Sequence, residues 1–425
     1  MRVLLLGSGG REHAFAWKIA QSSRLEKLFI APGNAGTESI GENVALNPLD
    51  FDAIADFVVR HRIQLVVPCA EEPLVKGIYD FFAMHPLLHQ VMLAGPSHNG
   101  ALLEGSKDFA KDFMQRHQIP TAAYKTFTAT ERAQAEAYLL QHSLPIVLKA
   151  DGLAAGKGVI ICSTHQEAHE HLNALFDGKF GVAGKKVVIE SFLKGIEFSV
   201  FVLTDTQTHR ILPTAKDYKR IGEGDTGLNT GGMGAIAPVP FVDKELMYKV
   251  EKKIIEPTLK GLQKEKIIYQ GFIYFGLIKV GNEPYVIEYN CRMGDPETQA
   301  VFPLLHFDLL EALVATCTLN LHKIDWQISH LHAATLVLAA EGYPEAYQTN
   351  QAITFDAPNA NTLLFMAGVK KENQQHYTNG GRVLALTATA PTLAQAVETV
   401  YRQQNNIHFS NKYFRRDIGK DVLHS

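Results

Sequence analysis

Apolar positions in the first hundred residues come in short continuous runs: Val3-Leu-Leu-Leu6, Leu28-Phe-Ile-Ala31, Leu65-Val-Val-Pro68 and Val91-Met-Leu-Ala94. Runs of this length without polar alternation suit strands buried on both faces, and helical stretches lie between them. Strands alternating with helices predict a parallel, Rossmann-like sheet whose ligand side lies at the strands' C-terminal ends. The centre has another texture. Leu144-Pro-Ile-Val-Leu-Lys149 and Val159-Ile-Ile161 flank a loop of glycines and alanines, and Lys186-Val-Val-Ile-Glu190 is joined to Glu197-Phe-Ser-Val200 by a short linker. Past residue 326, His332–Ala340 and Gly381–Ala388 read as strands, and Thr392–Gln403 as an amphipathic helix capped by its own Thr after Pro391. The pattern predicts an α/β and α+β multidomain chain, divided at 1–105, 106–325 and 326–425.

Tyr285–Gln299 is the stretch around which the rest is organised. Pro284 bounds a strand in which alternate side chains share a face, so Glu288, Asn290 and Arg292 project together. A carboxylate, an amide oxygen and a guanidinium in that order suit Mg²⁺ held between protein and phosphate oxygens, with an anion alongside. An edge strand with a solvated polar face is the alternative. The strand then breaks into Gly294-Asp295-Pro296-Glu297.

Three further segments carry phosphate chemistry. Gly7-Ser-Gly9-Gly10 ends the first strand at a helix start, an anion site; Glu12 at the third glycine position and Ala31-Pro32-Gly33 after the second strand argue against a dinucleotide fingerprint. Gly152–Gly158 is no P-loop, because no helix and no Gly-Lys-Ser/Thr ending follow. A glycine hairpin there closes over phosphates, with Lys149 and Lys157 as point charges. Glu190 and Glu197 bracket an apolar linker that fits a purine ring, with ribose hydroxyls as partners for a carboxylate. Residues 222–235 are too glycine-dense for a stable helix or strand; with Lys216, Asp217, Lys219 and Arg220 before them they predict a loop wrapping a phosphorylated ligand.

Composition narrows the class. The 425 residues carry a formal charge of −3, which gives no general attraction to nucleic acid or acidic membranes, so any phosphate binding is local. The 46% hydrophobic content supports ordinary cores, and no window has the roughly 18 apolar residues of a membrane span. Cys69, Cys162, Cys291 and Cys317 show no paired or metal-ligand spacing, which predicts a reducing, cytoplasmic setting.

Lys149 before a glycine hairpin, Glu190 and Glu197 around a linker, and Glu288-x-Asn290 on a late strand together resemble the ATP-grasp family. Gly9-Gly10-Arg11-Glu12-His13-Ala14, Pro32-Gly33-Asn34-Ala35-Gly36-Thr37, Lys149–Gly158, Asn229-Thr-Gly-Gly-Met-Gly-Ala235 and Asn290–Gln299 are similar to the phosphoribosylamine–glycine ligase (glycinamide ribonucleotide synthetase) family. The likeness runs on to Arg415-Arg416-Asp417-Ile418-Gly419 and covers essentially the whole chain. Cys69-Ala70, where Gly-Pro is usual, and Leu228, where proline is usual, depart from it in loops expected to face ligand.

The resemblance implies an ATP-grasp core with a hinged lid at about 124–195, and ATP-dependent joining of glycine to 5-phosphoribosylamine in purine synthesis, through a glycyl phosphate. ATP is expected on Lys107, Lys149, Gly156, Lys157, Gly158, Glu190, Phe192 and Glu197, with Mg²⁺ or Mn²⁺ on Glu288 and Asn290. The sugar amine is expected at Gly9, Gly10, Asn34, Gly36, Thr37 and Glu71, closed over by Asp217, Lys219, Asn229, Gly231 and Gly232. Arg292 is the candidate holder of the glycine carboxylate and Asp295 of its ammonium; Lys149, Arg292 and Asp295 form the expected catalytic set. Small-molecule substrates, no nucleic acid, no membrane and a monomer complete the expectation, with no catalytic constellation in the last hundred residues.

Overall fold

The apolar runs of the first hundred residues form a parallel sheet in the order Glu42–Asn43, Lys27–Pro32, Arg2–Gly7, Leu65–Pro68, Met92–Leu93. This computed structural model describes residues 1–153, 158–178, 181, 185–356, 359 and 361–423. The strand order reverses between Arg2–Gly7 and Leu65–Pro68, so the turn entering helix Gly10–Ile19 and the helix Glu71–Val75 open on one crevice. Helices His98–Gly105 and Lys107–Arg116 follow, the second capped by the Ser106 hydroxyl on the Phe109 N–H.

The centre consists of two antiparallel layers. Tyr124–Thr128, Lys186–Ser191, Ile146–Ala150 and Val159–Cys162 form one sheet, with helices Arg132–Gln141 and His165–Phe176 against it. This piece has its own core, including Phe127, Leu148, Leu172 and Ile189. The other layer pairs Ile196–Thr204 with Tyr269–Val280, and that strand with Glu283–Asn290. Their ladder shifts register beside Gly276, where a Cβ would stand 3.0 Å from the Glu288 Cγ; the glycine makes room for that carboxylate stem.

The 222–235 segment differs from expectation. Arg220–Gly222 and Thr226–Asn229 form a hairpin, and Gly234–Ala237 is a strand. Gly224 (φ 66°) and Asp225 (φ 55°) supply the left-handed turn that a hairpin needs. Support comes from far along the chain. The buried Arg415 guanidinium donates to the Arg220 carbonyl, to Asp225 at 2.7 Å and to Asp417 at 2.6 Å. Glycine content therefore does not unfold the segment; tertiary hydrogen bonds override the propensity.

Gly234–Ala237 also joins Lys216–Asp217 to the C-terminal strands. The sheet runs Lys216–Asp217, Gly234–Ala237, His332–Ala340, Arg382–Ala390, Thr362–Met366, with helix Leu393–Gln403 packed on it. Met366 reaches the first domain: its N–H donates to Nδ1 of buried His13 at 2.8 Å, and the His13 ring meets Phe365 edge-on. Buried His13 thereby closes an internal seam between the first helix and the C-terminal strands.

Two consequences are measurable. Leu172→Ala, in the separate core of the lid, should cost about 2–5 kcal/mol and speed amide exchange across 124–191 while leaving the Arg2–Gly7 sheet protected. Equal acceleration in both would show that they do not form separate units. Burial pulls His13 down from 6.5 to about 4, so the unfolded chain binds more protons in that window. Stability should thus fall as pH drops from 6.5 to 4, by on the order of 3 kcal/mol from this group, with no contribution above 6.5. Urea midpoints of His13→Gln should lack that part of the acid loss.

Candidate active site

A cavity of about 420 Å³ opens where the lid, the late strand and the first crevice meet. Seven basic side chains line it (Arg11, Lys107, Lys111, Lys149, Lys219, Arg292, Arg382) and seven acidic ones (Glu71, Glu104, Glu190, Asp217, Glu288, Asp295, Glu297). Charges this enclosed are tolerated when they are paired, and most are.

Glu190 forms ion pairs with two lysines at 2.9 Å each, Lys111 on helix Lys107–Arg116 and Lys149 on strand Ile146–Ala150. Burial alone would raise the Glu190 carboxyl; Lys149 and Lys111 override it and hold it below its ordinary value. Burial in turn draws Lys111 down to about 8, against the pull of Glu190. Lys149 also donates to the Ile287 carbonyl at 3.2 Å, which ties the lid to the late strand. Lys107 donates to the Gly152 carbonyl at 2.9 Å, and burial lowers its amine too.

Arg292 is clamped between carboxylates: Glu104 at 2.7 Å and Glu71 at 3.3 Å. Burial raises the Glu104 carboxyl, since Arg292 offsets only part of that cost, while the Cys291 N–H and thiol also donate to it. Asp295 takes Arg382 at 3.0 Å and the Gln299 amide at 2.7 Å; burial opposes its charge, but Arg382 and Arg11 keep it below the usual range. Asp217 and Glu197 share Lys219, each at 3.1 Å.

Two carboxylates have no ion pair or hydrogen bond from another described residue: Glu288 and Glu297. Glu288 stands beside Asn290, whose Oδ1 accepts from Arg292 at 3.2 Å and whose buried Nδ2 has no partner. Among the described residues no cluster of three or more His, Cys, Asp or Glu could enclose a metal. One uncommitted carboxylate and one amide oxygen on a strand fit a hard cation such as Mg²⁺, which Glu288 and Asn290 would hold.

A second cavity, of about 670 Å³, shares Asp295 and Arg382 with the first. Its walls come from Ser8, Gly9, Gly33 and Asn34 on one side and Gly368, Lys370, Lys371 and Asn379 on the other.

The expected site residues distribute as follows. Lys107, Lys149, Gly158, Glu190, Glu71, Asp217, Lys219, Asn229, Gly231, Glu288, Asn290, Arg292 and Asp295 line the first cavity; Gly9, Asn34 and Asp295 line the second. Gly156 and Lys157 lie outside the described residues. Phe192 and Glu197 are exposed and line neither cavity. Gly10, Gly36, Thr37 and Gly232 also line neither; they set close approaches. A Cβ on Gly10 would stand 2.6 Å from the Gln299 amide nitrogen, on Gly36 2.2 Å from His13, and on Gly232 (φ 110°) 2.4 Å from Pro296. Thr37 is buried and accepts the Asn34 N–H. Asn34 uses its amide locally, donating to the Ser8 and Met366 carbonyls and accepting from the Gly36 and Thr37 N–H groups. The Gly9 N–H is taken by the Glu12 carboxylate at 2.5 Å. Cys69 is core and Leu228 is exposed, so neither departure from the family pattern touches a cavity.

Sequence reasoning missed Arg11, Glu104, Lys111, Glu297 and Arg382. Spacing held one signal: Lys111 lies one helical turn after Lys107. Arg382 is one cavity-lining side chain supplied by the last hundred residues; it enters just after Gly380-Gly381 at a strand start.

Comparison with known proteins shows the family. Models of the phosphoribosylglycinamide synthetase N domain, ATP-grasp (A) domain and C domain match residues 1–104, 105–298 and 333–421. The chain is 45% identical to the phosphoribosylamine–glycine ligase of Chlorobaculum tepidum over 100% of both chains, and 45% identical to that of Escherichia coli over 99% and 98%. A crystal structure of phosphoribosylamine–glycine ligase from Thermotoga maritima superposes with a TM-score of 0.85 at 34% identity, covering 99% of this chain and all of that one. The biotin carboxylase domain of a Hydrogenobacter thermophilus 2-oxoglutarate carboxylase, 15% identical with a TM-score of 0.73 over 100% and 98%, shares the fold. Matched over its whole length by relatives of one kind, the chain belongs to the phosphoribosylglycinamide synthetase family, with an ATP-grasp domain at its centre.

Proposed function

We propose that this chain joins glycine to 5-phosphoribosylamine at the expense of ATP, giving glycinamide ribonucleotide, ADP and phosphate by way of glycyl phosphate. The observation that carries the reading is the uncommitted Glu288 beside Asn290 and Arg292 in a lysine-rich cavity, which shares Asp295 and Arg382 with a second one.

A carboxylate is a poor acyl donor because an oxide would have to leave, so it is first phosphorylated. Transfer of the γ-phosphoryl needs alignment and charge neutralisation more than covalent help. Lys107 and Lys149 line the cavity proposed for the polyphosphate, and Glu288 with Asn290 would hold Mg²⁺ or Mn²⁺, which would offset phosphate charge. Arg292, held in place by Glu104 and Glu71, presents donors to the glycine carboxylate and to the oxyanion formed from it. Asp295, kept anionic by Arg382, holds the glycine ammonium. The sugar phosphate occupies the second cavity, between the Gly9 and Asn34 turns and Lys370 and Lys371. Closure of the 124–195 lid keeps water from the acyl phosphate.

All of these side chains come from one chain, so the reading needs no partner subunit. Four free cysteines suit a reducing cytoplasm, and among the described residues no helix is long and apolar enough to cross a membrane.

ADP release should require ATP, Mg²⁺, glycine and freshly made phosphoribosylamine together, and should fall to background when any one is omitted. Glu288→Ala should abolish that release with an unchanged melting temperature. Near-normal turnover in this variant would remove the metal assignment.

A further inference from the structure

Five of the seven carboxylates lining the first cavity hold a cation within 3.3 Å. Glu288 is assigned to the metal. Glu297 is left: 3% exposed, it takes one hydrogen bond, from its own backbone N–H, and no ion pair from any described residue. Folding alone does not favour a buried carboxylate without a counter-ion. Its place on the chain is two residues beyond Asp295, which walls both cavities, whereas Glu297 lines the nucleotide side alone.

The reaction proposed above leaves one proton without a destination. When the sugar amine attacks, its nitrogen bonds to the glycyl carbonyl carbon, the carbon–oxygen bond to phosphate breaks and the phosphate leaves with that electron pair. The nitrogen must then shed a proton. We propose that the Glu297 carboxylate takes up this proton and afterwards passes it to solvent; the assignment rests on the functional reading above.

The charged surroundings agree. Asp217 and Lys219 face Glu297 from one strand and the turn after it, Tyr274 from the long central strand and Arg292 from the turn before it; Arg11 and Arg382 close the cavity. Burial and then the Asp217 carboxylate push Glu297 well above the ordinary carboxylate range, against Lys219 and Arg292, which eases its uptake of a proton. A base poised there is effective in proton transfer. Asp295, held anionic by Arg382, suits a permanent counter-charge instead.

The test separates the two half-reactions in Glu297→Gln. Hydroxylamine, small and mostly neutral at pH 7.5, replaces the sugar amine as trap for glycyl phosphate, with bulk buffer able to accept its proton. Sugar-dependent ADP release should fall by about 100-fold or more, while glycine hydroxamate formation from ATP, glycine and hydroxylamine stays within about threefold of wild type. Parallel loss of both would place Glu297 in glycine binding or activation and overturn the assignment; sugar-dependent turnover within about threefold of wild type would also overturn it. Should the Gln variant not fold, Glu297→Asp, with its carboxylate drawn back, should lose about tenfold or more in sugar-dependent kcat and keep the hydroxamate rate. A wild-type protein that makes no glycinamide ribonucleotide from the full mixture would instead reject the functional reading itself.

Discussion

Buried charge has to be compensated before any ligand arrives, and this constraint shapes the centre of the molecule. A carboxylate removed from water is strongly disfavoured unless a cation and hydrogen-bond donors stand against it. Glu190 has two lysines from different elements, Lys111 on the helix that leaves the first domain and Lys149 on the lid. With both in place Glu190 stays charged, and with Lys149 turned toward a phosphate Lys111 would still compensate it. The second lysine thus means that movement of the first would not strand a charge. Arg292 shows the converse arrangement, one guanidinium between Glu104 and Glu71, so its plane is set by two elements of the N-terminal half while it is carried by the late strand's turn.

The same constraint explains what could be seen in the sequence. Buried parallel strands announce themselves as continuous apolar runs, and Val3–Leu6 and Leu65–Pro68 are strands as expected. The face shared by Glu288, Asn290 and Arg292 follows from the two-residue period of a strand, which is local information. Glu104, Lys111 and Arg11 were not legible because their importance comes from partners far off in sequence; Glu104 meets Arg292 across 188 residues. The glycines misled for a related reason. Gly10, Gly36 and Gly232 suggest phosphate cradles, yet each one leaves room for a side chain from another element. The 222–235 hairpin was missed because Arg415, which anchors it, lies nearly 200 residues away.

The contribution of the last hundred residues has a topological cause. Because Gly234–Ala237 pairs with His332–Ala340, and that strand with Arg382–Ala390, the C-terminal sheet grows out of the segment that also supplies Asp217. Arg382 is thereby delivered to Asp295, donating to its carboxylate and its carbonyl and to the Gly231 carbonyl as well. One guanidinium fixes the turn after the late strand against the 229–232 turn. His13 and Met366 tie the first helix to the same C-terminal sheet.

Asp295 and Glu297 make the last point. They are the same kind of group, two residues apart on one turn, both buried and both lining the first cavity. Burial pushes each toward its neutral form. For Asp295 the Arg382 guanidinium reverses the direction; for Glu297 Lys219 and Arg292 offset only part of the burial cost, and the Asp217 carboxylate adds to the push. Two chemically equivalent side chains therefore come to hold a proton at different pH because of what the fold places opposite them. A motif can supply two carboxylates in order. Which of them stays charged and which exchanges a proton is decided by Arg382 and Asp217, neither of which belongs to the motif.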